Sequence, residues 1–598
     1  MKRSFDAVLL CAVTLTACDD AGGSKPETEL TDAAPVDVGQ GSGDAVAADA
    51  ASGDAVAADA TPVDAAAVDA APPPHLEAPK ARLYLHDPIT DDNMLTEVEL
   101  PETSTDDGRL TNASVEVFNC LKEPGGVSAM PFGNFTVSLC HEVQKARPDE
   151  DGNYLSIEPP RRESDGNDSF AELMMYENVT RAHDYFAGTH GMDWLDFALP
   201  ALVNVQFKIE PAISLPGFEV GPDGWSYFEN AAYFPRESWE ALAAQFGLPP
   251  RDKDTIIFGQ ARHDFSYDAS VILHEYTHAV IGTTRLQGRV FDAQGIDDSP
   301  RAMNEALADY FAATVADFAR VGEYGIGTLD PTAVRDLASP RKCPDDLVNE
   351  IHADGRIFGS ALWAVRNVLG AEAADAAIFG ALTQFGTETT LDVAGELVVA
   401  EVEVALGVDR AAQVREILVD FGVLGCVRAK EWTNYSVFRA ADRVPYSVEG
   451  TGSVGARLDR VPGFHQWYID VPANAAGVSL DWLMQPSGGF IPGAGGGNGD
   501  LDLAVRFGAP VEVQLAGNLA VTADTEVDMP APVRETLQGQ TVWSQGATLG
   551  ASCLPLEGGR VYLMMLNRSE SPATILTMNR TVHADALPAD AVVVECAR

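Results

Sequence analysis

Basic residues are scarce in this chain. Lys and Arg together number 40 against 89 Asp and Glu, a formal net charge of −49 over 598 residues. Nucleic-acid binding draws on clustered positive charge, so that class of partner is excluded. Such acidity favours solubility outside the cell and attracts basic substrates at long range. No CxxC pair occurs, which argues against a zinc ribbon. The N-terminal apolar run, Ala7 to Leu15, is too short to span a bilayer as a mature helix. From Asp19 to about Pro74 the chain has no aromatic residue and almost no large apolar one. It is built of Ala, Asp, Val, Gly and Pro, and Ser42–Ala50 recurs identically at Ser52–Ala60. Such a segment cannot bury enough surface to offset its ordering entropy, and Asp repulsion extends it. Residues 19–79 are therefore predicted to be a disordered tether. Two repeats without a hydrophobic face do not stack as a solenoid.

What precedes the tether reads as a bacterial lipoprotein signal over residues 1–18. Lys2 and Arg3 are basic, the apolar run follows, and Leu15-Thr16-Ala17-Cys18 fits a lipobox. Cleavage would make Cys18 the first residue and the site of lipidation. The expected location is the cell envelope or cell surface of a bacterium, with the membrane reached through the lipid alone, or a form released outside the cell. A plain secretory signal, or a short apolar start in a cytoplasmic protein, is the alternative.

Two short strings downstream carry the chemistry. His274-Glu275-Tyr276-Thr277-His278 is an HExxH pattern, and Asn304-Glu305-Ala306-Leu307-Ala308-Asp309 follows it. On a helix, positions i and i+4 share a face, so His274 and His278 can offer two imidazole nitrogens to one metal. Glu275 can face a metal-bound water, and Glu305 supplies a third ligand. Two His and one Glu with a fourth position open make a hydrolytic zinc site. Val271, Ile272, Leu273, Ala279, Val280 and Ile281 flank the first motif as a buried helix would, and Gly282 can end that helix. Ala302 to Val321 is predicted to be a second helix, with Leu307, Phe311, Val315 and Phe318 at helical spacing. Asp309 then sits one turn from Glu305, where a partner for a ligating His is expected.

These strings resemble the gluzincin metallopeptidases, thermolysin and, more closely, the fungalysins. Asn230-Ala231-Ala232-Tyr233-Phe234 resembles their substrate-binding edge strand, and Asp254–Gly259 the strand after it. Asp168–Tyr176, continuing to Phe186, is similar to the first long helix of a fungalysin catalytic domain. Glu350-Ile351-His352-Ala353-Asp354-Gly355 resembles the segment carrying the family's transition-state histidine. The likeness is collinear from about residue 80 to about 425. It implies an α+β fold, β-rich first and helical after, with the zinc site between; residues 80–430 are the expected peptidase domain. It implies that Asn304 and Asp309 hold the zinc imidazoles and that His352 donates to the developing oxyanion. Protein or peptide substrates and a monomer are expected.

Two departures stand out. Thermolysin has an oxyanion tyrosine between HExxH and the ligand Glu; after Tyr276 this interval has none, and Phe291 is the nearest substitute. The interval is also longer, with Asp297–Pro300 as an insertion. The arginine that orients substrate in thermolysin has three candidates here, Arg335, Arg341 and Arg356. A large propeptide, common in the family, is not evident. An inactive peptidase-like surface-binding or adhesion lipoprotein is the alternative reading; an intact Glu275 counts against it, because metal retention alone needs no general base.

Beyond Cys11 and Cys18, six cysteines fall two per region, and six allow 15 pairings. The simplest is local: Cys120–Cys140, Cys343–Cys426 and Cys553–Cys596. From about residue 435 to 598, short alternating strands such as Gln466–Val471, Val478–Trp482 and Val561–Leu566 predict a β-sandwich. The segments Phe464–Pro472, Gly499–Leu503 and Gly558–Tyr562 resemble the prepeptidase C-terminal domain. Asp500 and Asp502 are candidate calcium ligands, although two carboxylates fall short of a shell of 6–8 oxygens.

Overall fold

The computed structural model describes residues 76–596, apart from 105–106, 122–129, 133–134, 162–166, 211–223, 247–250, 261–262, 330, 332, 439–445, 452–457, 487–498, 517 and 538–539. Cys18 and nearly all of the tether lie outside the described residues. Among those described, no helix is long and apolar enough to cross a membrane.

The first part is β-rich. An eight-stranded sheet is organised around Leu199–Glu210, which pairs in parallel with Val115–Leu121 and with Thr255–Gly259. Thr255–Gly259 pairs antiparallel with Ala231–Phe234, the last strand on that side. Among the described residues the α-helices are, in chain order, α1 (Ser169–His190), α2 (Arg236–Phe246), α3 (Ala269–Ile281), α4 (Ser299–Ala316), α5 (Ile351–Leu369), α6 (Ala371–Leu382), α7 (Leu391–Leu406) and α8 (Val408–Asp420). Helix α1 starts where Asp168 accepts from the Phe170 and Ala171 amides, and ends at Gly191 in the left-handed region. One core cluster runs from Ala81 to Leu424, with Tyr276, Phe311, Phe358 and Ile378 buried at its centre.

The second part is a β-sandwich. A six-stranded sheet runs in the order Ala429–Glu431, Gln466–Val471, Gly559–Asn567, Leu501–Phe507, Thr525–Val527, with Val461–Pro462 also paired on Gly559–Asn567. A seven-stranded sheet runs Tyr435–Ser436, Ala573–His583, Gly477–Pro486, Gln540–Gly550, Val533–Leu537, with Tyr446–Val448 also on Ala573–His583 and Val593–Val594 on Gln540–Gly550. Trp432, Trp467, Trp482, Leu503, Leu563 and Ile575 fill the space between them. Burial alternates along Gln466–Val471, as a strand with one face in the core requires. The structure thus has the α+β part that the resemblance implies and the trailing sandwich that the strand patterning predicts, and the three local disulfides are present.

Three expectations are corrected. The second motif helix is Ser299–Ala316, not Ala302–Val321: it starts earlier because Pro300 fits a first turn, and it stops at Asp317, which has a φ of 52°. Between the two motifs lies a hairpin, Val290–Asp292 with Gly295–Asp297. Phe291 does not take a tyrosine's place in a site. It packs with Ile296, Leu458 and Val461 against the sandwich. The calcium reading fails on geometry: Arg568 lies 3.2 Å from Asp500 and 3.1 Å from Asp502, so a guanidinium occupies the place between those carboxylates.

Candidate active site

Helix α3 begins at Asp268, whose carboxylate accepts from Ser270 and Val271, and ends at Gly282 with a φ of 70°. Its residues are buried on nearly every side, as its apolar flanks require. His274 and His278 come one turn apart, with Nε2 atoms 3.0 Å from each other. Helix α4 packs against α3 and brings Glu305 Oε2 to 3.3 Å from His274 Nε2 and 3.7 Å from His278 Nε2.

The outer nitrogens show what the inner ones are for. His274 Nδ1 faces Asp309 Oδ1 at 2.8 Å, and His278 Nδ1 faces Asn304 Oδ1 at 2.7 Å. Both partners accept hydrogen bonds, so each Nδ1 carries its proton outward and each Nε2 turns a lone pair inward. Glu305 Oε2 joins them, buried and without a hydrogen-bond donor. Two lone pairs and a carboxylate oxygen converging on one point call for a cation. Two imidazoles with one carboxylate are a donor set that suits zinc. Among the described residues, these three form the one such group, with ligand atoms within 4.8 Å of one another.

These groups also shift one another's titration. Burial works against a charged His274, but the carboxylates of Asp309 and Glu305 outweigh it and raise the group to about 9. Burial would raise Glu305, yet His352, His278 and His274 hold it well below the ordinary range. Asp309 is likewise lowered despite its burial, chiefly by Arg335. Arg335 Nε reaches both Asp309 oxygens, at 2.8 and 2.7 Å. Of the three candidate arginines it alone joins this cluster. Arg341 pairs with Asp346, and Arg356 sits one turn beyond His352 with Nε lacking an acceptor.

His352 arrives from α5. Glu350 caps that helix, accepting from the His352 and Ala353 amides, and also takes His352 Nδ1 at 2.7 Å. His352 Nε2 then points at Glu305 Oε2, 3.4 Å away. Burial opposes charge on His352, but Glu305 and Glu350 raise it to about 9. Glu350 was given no role of its own from the sequence, and Arg335 was one of three candidates for orienting substrate rather than a partner of Asp309. A Glu at the cap before the His352 helix was the available signal for one; nothing local marks the other.

Glu275 is buried on α3, next to His274. Ala231 begins the strand at the end of the large sheet, and Asn230 O just before it accepts from Gly259. Tyr233 of the same strand lies beside His278, with ring centroids 6.5 Å apart, and its hydroxyl donates to Asp254. Of the predicted residues, His274, His278, Glu305, Asn304, Asp309 and His352 are joined by these contacts, and Asn230 and Ala231 lead into the strand whose Tyr233 lies beside His278.

Residues 37–374, more than half of the chain, match the fungalysin metallopeptidase family (M36). The chain belongs to this family. It is a metallopeptidase, and its relatives of the M36 family are zinc-dependent. Among solved structures, the precursor of protealysin, a metalloproteinase from Serratia proteamaculans, is similar at 14% identity. That match covers 42% of this chain and 78% of that one with a TM-score of 0.29, so the assignment rests on the sequence match. No curated protein matches.

Proposed function

We propose that this fungalysin is a zinc-dependent endopeptidase acting on extracellular proteins or peptides. The convergence of His274 Nε2, His278 Nε2 and Glu305 Oε2, with both Nδ1 atoms committed outward, is the observation that carries the reading. These three residues would hold the zinc. When bound, zinc supplies a Lewis acid for the scissile carbonyl and acidifies a water.

The remaining work falls to the chain's own groups. Glu275 takes the proton of the attacking water and delivers it to the leaving amine. His352 Nε2 donates to the oxygen on which charge builds, with Glu350 fixing its ring. Asp309 and Asn304 orient the ligand imidazoles, and Arg335 holds Asp309 in place. The backbone from Asn230 along Ala231–Phe234 offers an edge to an extended peptide. The lipobox supports attachment to a membrane through Cys18, and mass spectrometry of the N-terminus in the native host would show an acylated Cys18; an intact residue 1 would refute it.

The deciding experiment is metal removal. The purified protein should bind one zinc, lose peptide hydrolysis on chelation and regain it with zinc. Full activity in a rigorously metal-free preparation would overturn the reading. Zinc bound at these residues with no turnover on a broad peptide library would favour an inactive surface-binding scaffold.

A further inference from the structure

The sandwich touches the peptidase part at two places that matter, and one short stretch, Arg428 to Lys430, makes both contacts. Ala429–Glu431 is a strand of the six-stranded sheet, paired in parallel with Gln466–Val471. Arg428 stands just before it and Lys430 within it, two residues apart and therefore on one face. Both are buried, at 7% and 8% exposure.

Arg428 reaches the hairpin between the two metal motifs. Its guanidinium donates to both oxygens of Asp292, at 2.9 and 2.7 Å, and to Ile296 O at 3.3 Å. Its amide donates to Gln294. The hairpin is seated on the sandwich by backbone as well: Val513 N donates to Ala293 O, and a Cβ on Gly295 would meet Gly463 O at 2.5 Å. From that hairpin Asp297 accepts from Ser299 N at the first turn of α4, which carries Glu305.

Lys430 reaches the other side. Its ammonium donates to Leu347 O at 2.8 Å. The amides that follow, Val348 and Asn349, donate to the Asp354 carboxylate, and Glu350 next in line caps α5 and holds His352. Cys343–Cys426 ties the start of this loop to the residues just before Arg428. Burying an ammonium against one carbonyl and the Tyr446 hydroxyl, with no carboxylate bonded to it among the described residues, is costly, and an apolar side chain would seal this interface more cheaply. What the directional bonds add is position.

We propose that the sandwich is a working support of the peptidase site, with Arg428 and Lys430 as positioning residues for the helices that carry Glu305 and His352. This rests on the metallopeptidase reading given above. Small displacements of reacting groups are expensive in rate, so the effect falls on kcat more than on KM.

The test uses the full chain. In Lys430→Met, kcat on a peptide should fall about tenfold, with KM changed less than about twofold, given the cost of misplacing catalytic groups. Zinc content should be unchanged. Hydrogen exchange at the amides of Val348, Asn349, His352 and Ala353 should speed up, because the loop that presents them is no longer tied at Leu347. Lys430→Arg, which keeps a donor, should recover most of kcat. Wild-type kcat together with wild-type exchange in Lys430→Met overturns the proposal, as does a fall in stability with kcat intact. If Lys430→Met does not fold, Arg428→Lys keeps the charge but loses the fork: faster exchange over 290–298 with lower kcat supports the proposal, and wild-type values refute it. If the wild-type protein hydrolyses no peptide, the peptidase reading fails, and exchange alone still decides whether Lys430 holds the His352 loop.

Discussion

Gly355 lies so close to Ala302 that a Cβ on it would meet Ala302 O at 2.5 Å and the Ala306 amide at 3.3 Å. Helices α4 and α5 cross here without a side chain between them. That close approach lets His352, one turn earlier on α5, reach Glu305 at 3.4 Å. In Gly355→Ala the added methyl must push the helices apart. Denaturant unfolding should show a loss of about 1–3 kcal/mol, typical of overpacking. The fall in kcat should exceed what the lost folded fraction explains. Wild-type kinetics in a stable variant would show that the crossing does not set the position of His352.

Glu275→Gln separates binding from chemistry. Glu275 is not one of the converging ligands, so zinc stoichiometry should stay at that of the wild type. Turnover should fall by about 10²–10⁴, the usual worth of a positioned general base. Metal analysis beside single-turnover kinetics makes the measurement. Loss of zinc would mean that Glu275 is a ligand rather than a base.

His352→Ala tests the oxyanion donor. Loss of one such donor costs about 10²–10³ in kcat. With no tyrosine in the interval after Tyr276 to share the load, the upper end of that range is expected. Zinc content should hold, and KM should move little if the bond strengthens only in the transition state. Near-normal kcat would assign the charge to another group.

His465 supplies a pH dependence. It is 5% exposed, packed against Tyr446 and Trp467, with neither ring nitrogen partnered. Burial, reinforced by Lys430 and Arg428, holds its imidazole well below the ordinary value. The folded state therefore resists a proton that the unfolded state accepts. This contribution to stability is complete above about pH 6.5 and is lost as pH falls below it, by up to about 1.4 kcal/mol per pH unit. His465→Phe removes the titrating group and keeps an aromatic ring. Urea unfolding at pH 5 and pH 7.5 should show a smaller acid loss in the variant. Equal losses in both proteins would place the acid sensitivity elsewhere.

Much of the site was legible before the fold. HExxH places two ligands on one helical face whatever surrounds it, because helix geometry alone spaces i and i+4. Gly282 ends α3 as read, and the alternation in Gln466–Val471 marked that strand residue for residue. Such signals are local: a period, a cap, a break. Where the local signal is weak, the reading was weak too. The strand Gln540–Gly550 is polar and interrupted by glycine, and its neighbours rather than its own pattern hold it in the sheet.

The contacts that turn motifs into a site have no local signature. Arg335 on Asp309, Glu305 facing His352 and Lys430 on Leu347 each join segments distant in sequence. An Arg or Lys in a string of residues reads the same whether it ends in solvent or in a buried carboxylate. Helix periodicity chose which residues face inward. The packing of α5 on α4, and of the sandwich on the hairpin between the motifs, chose which inward-facing groups meet, because the distance between two remote side chains is a property of the packed whole and of no segment within it.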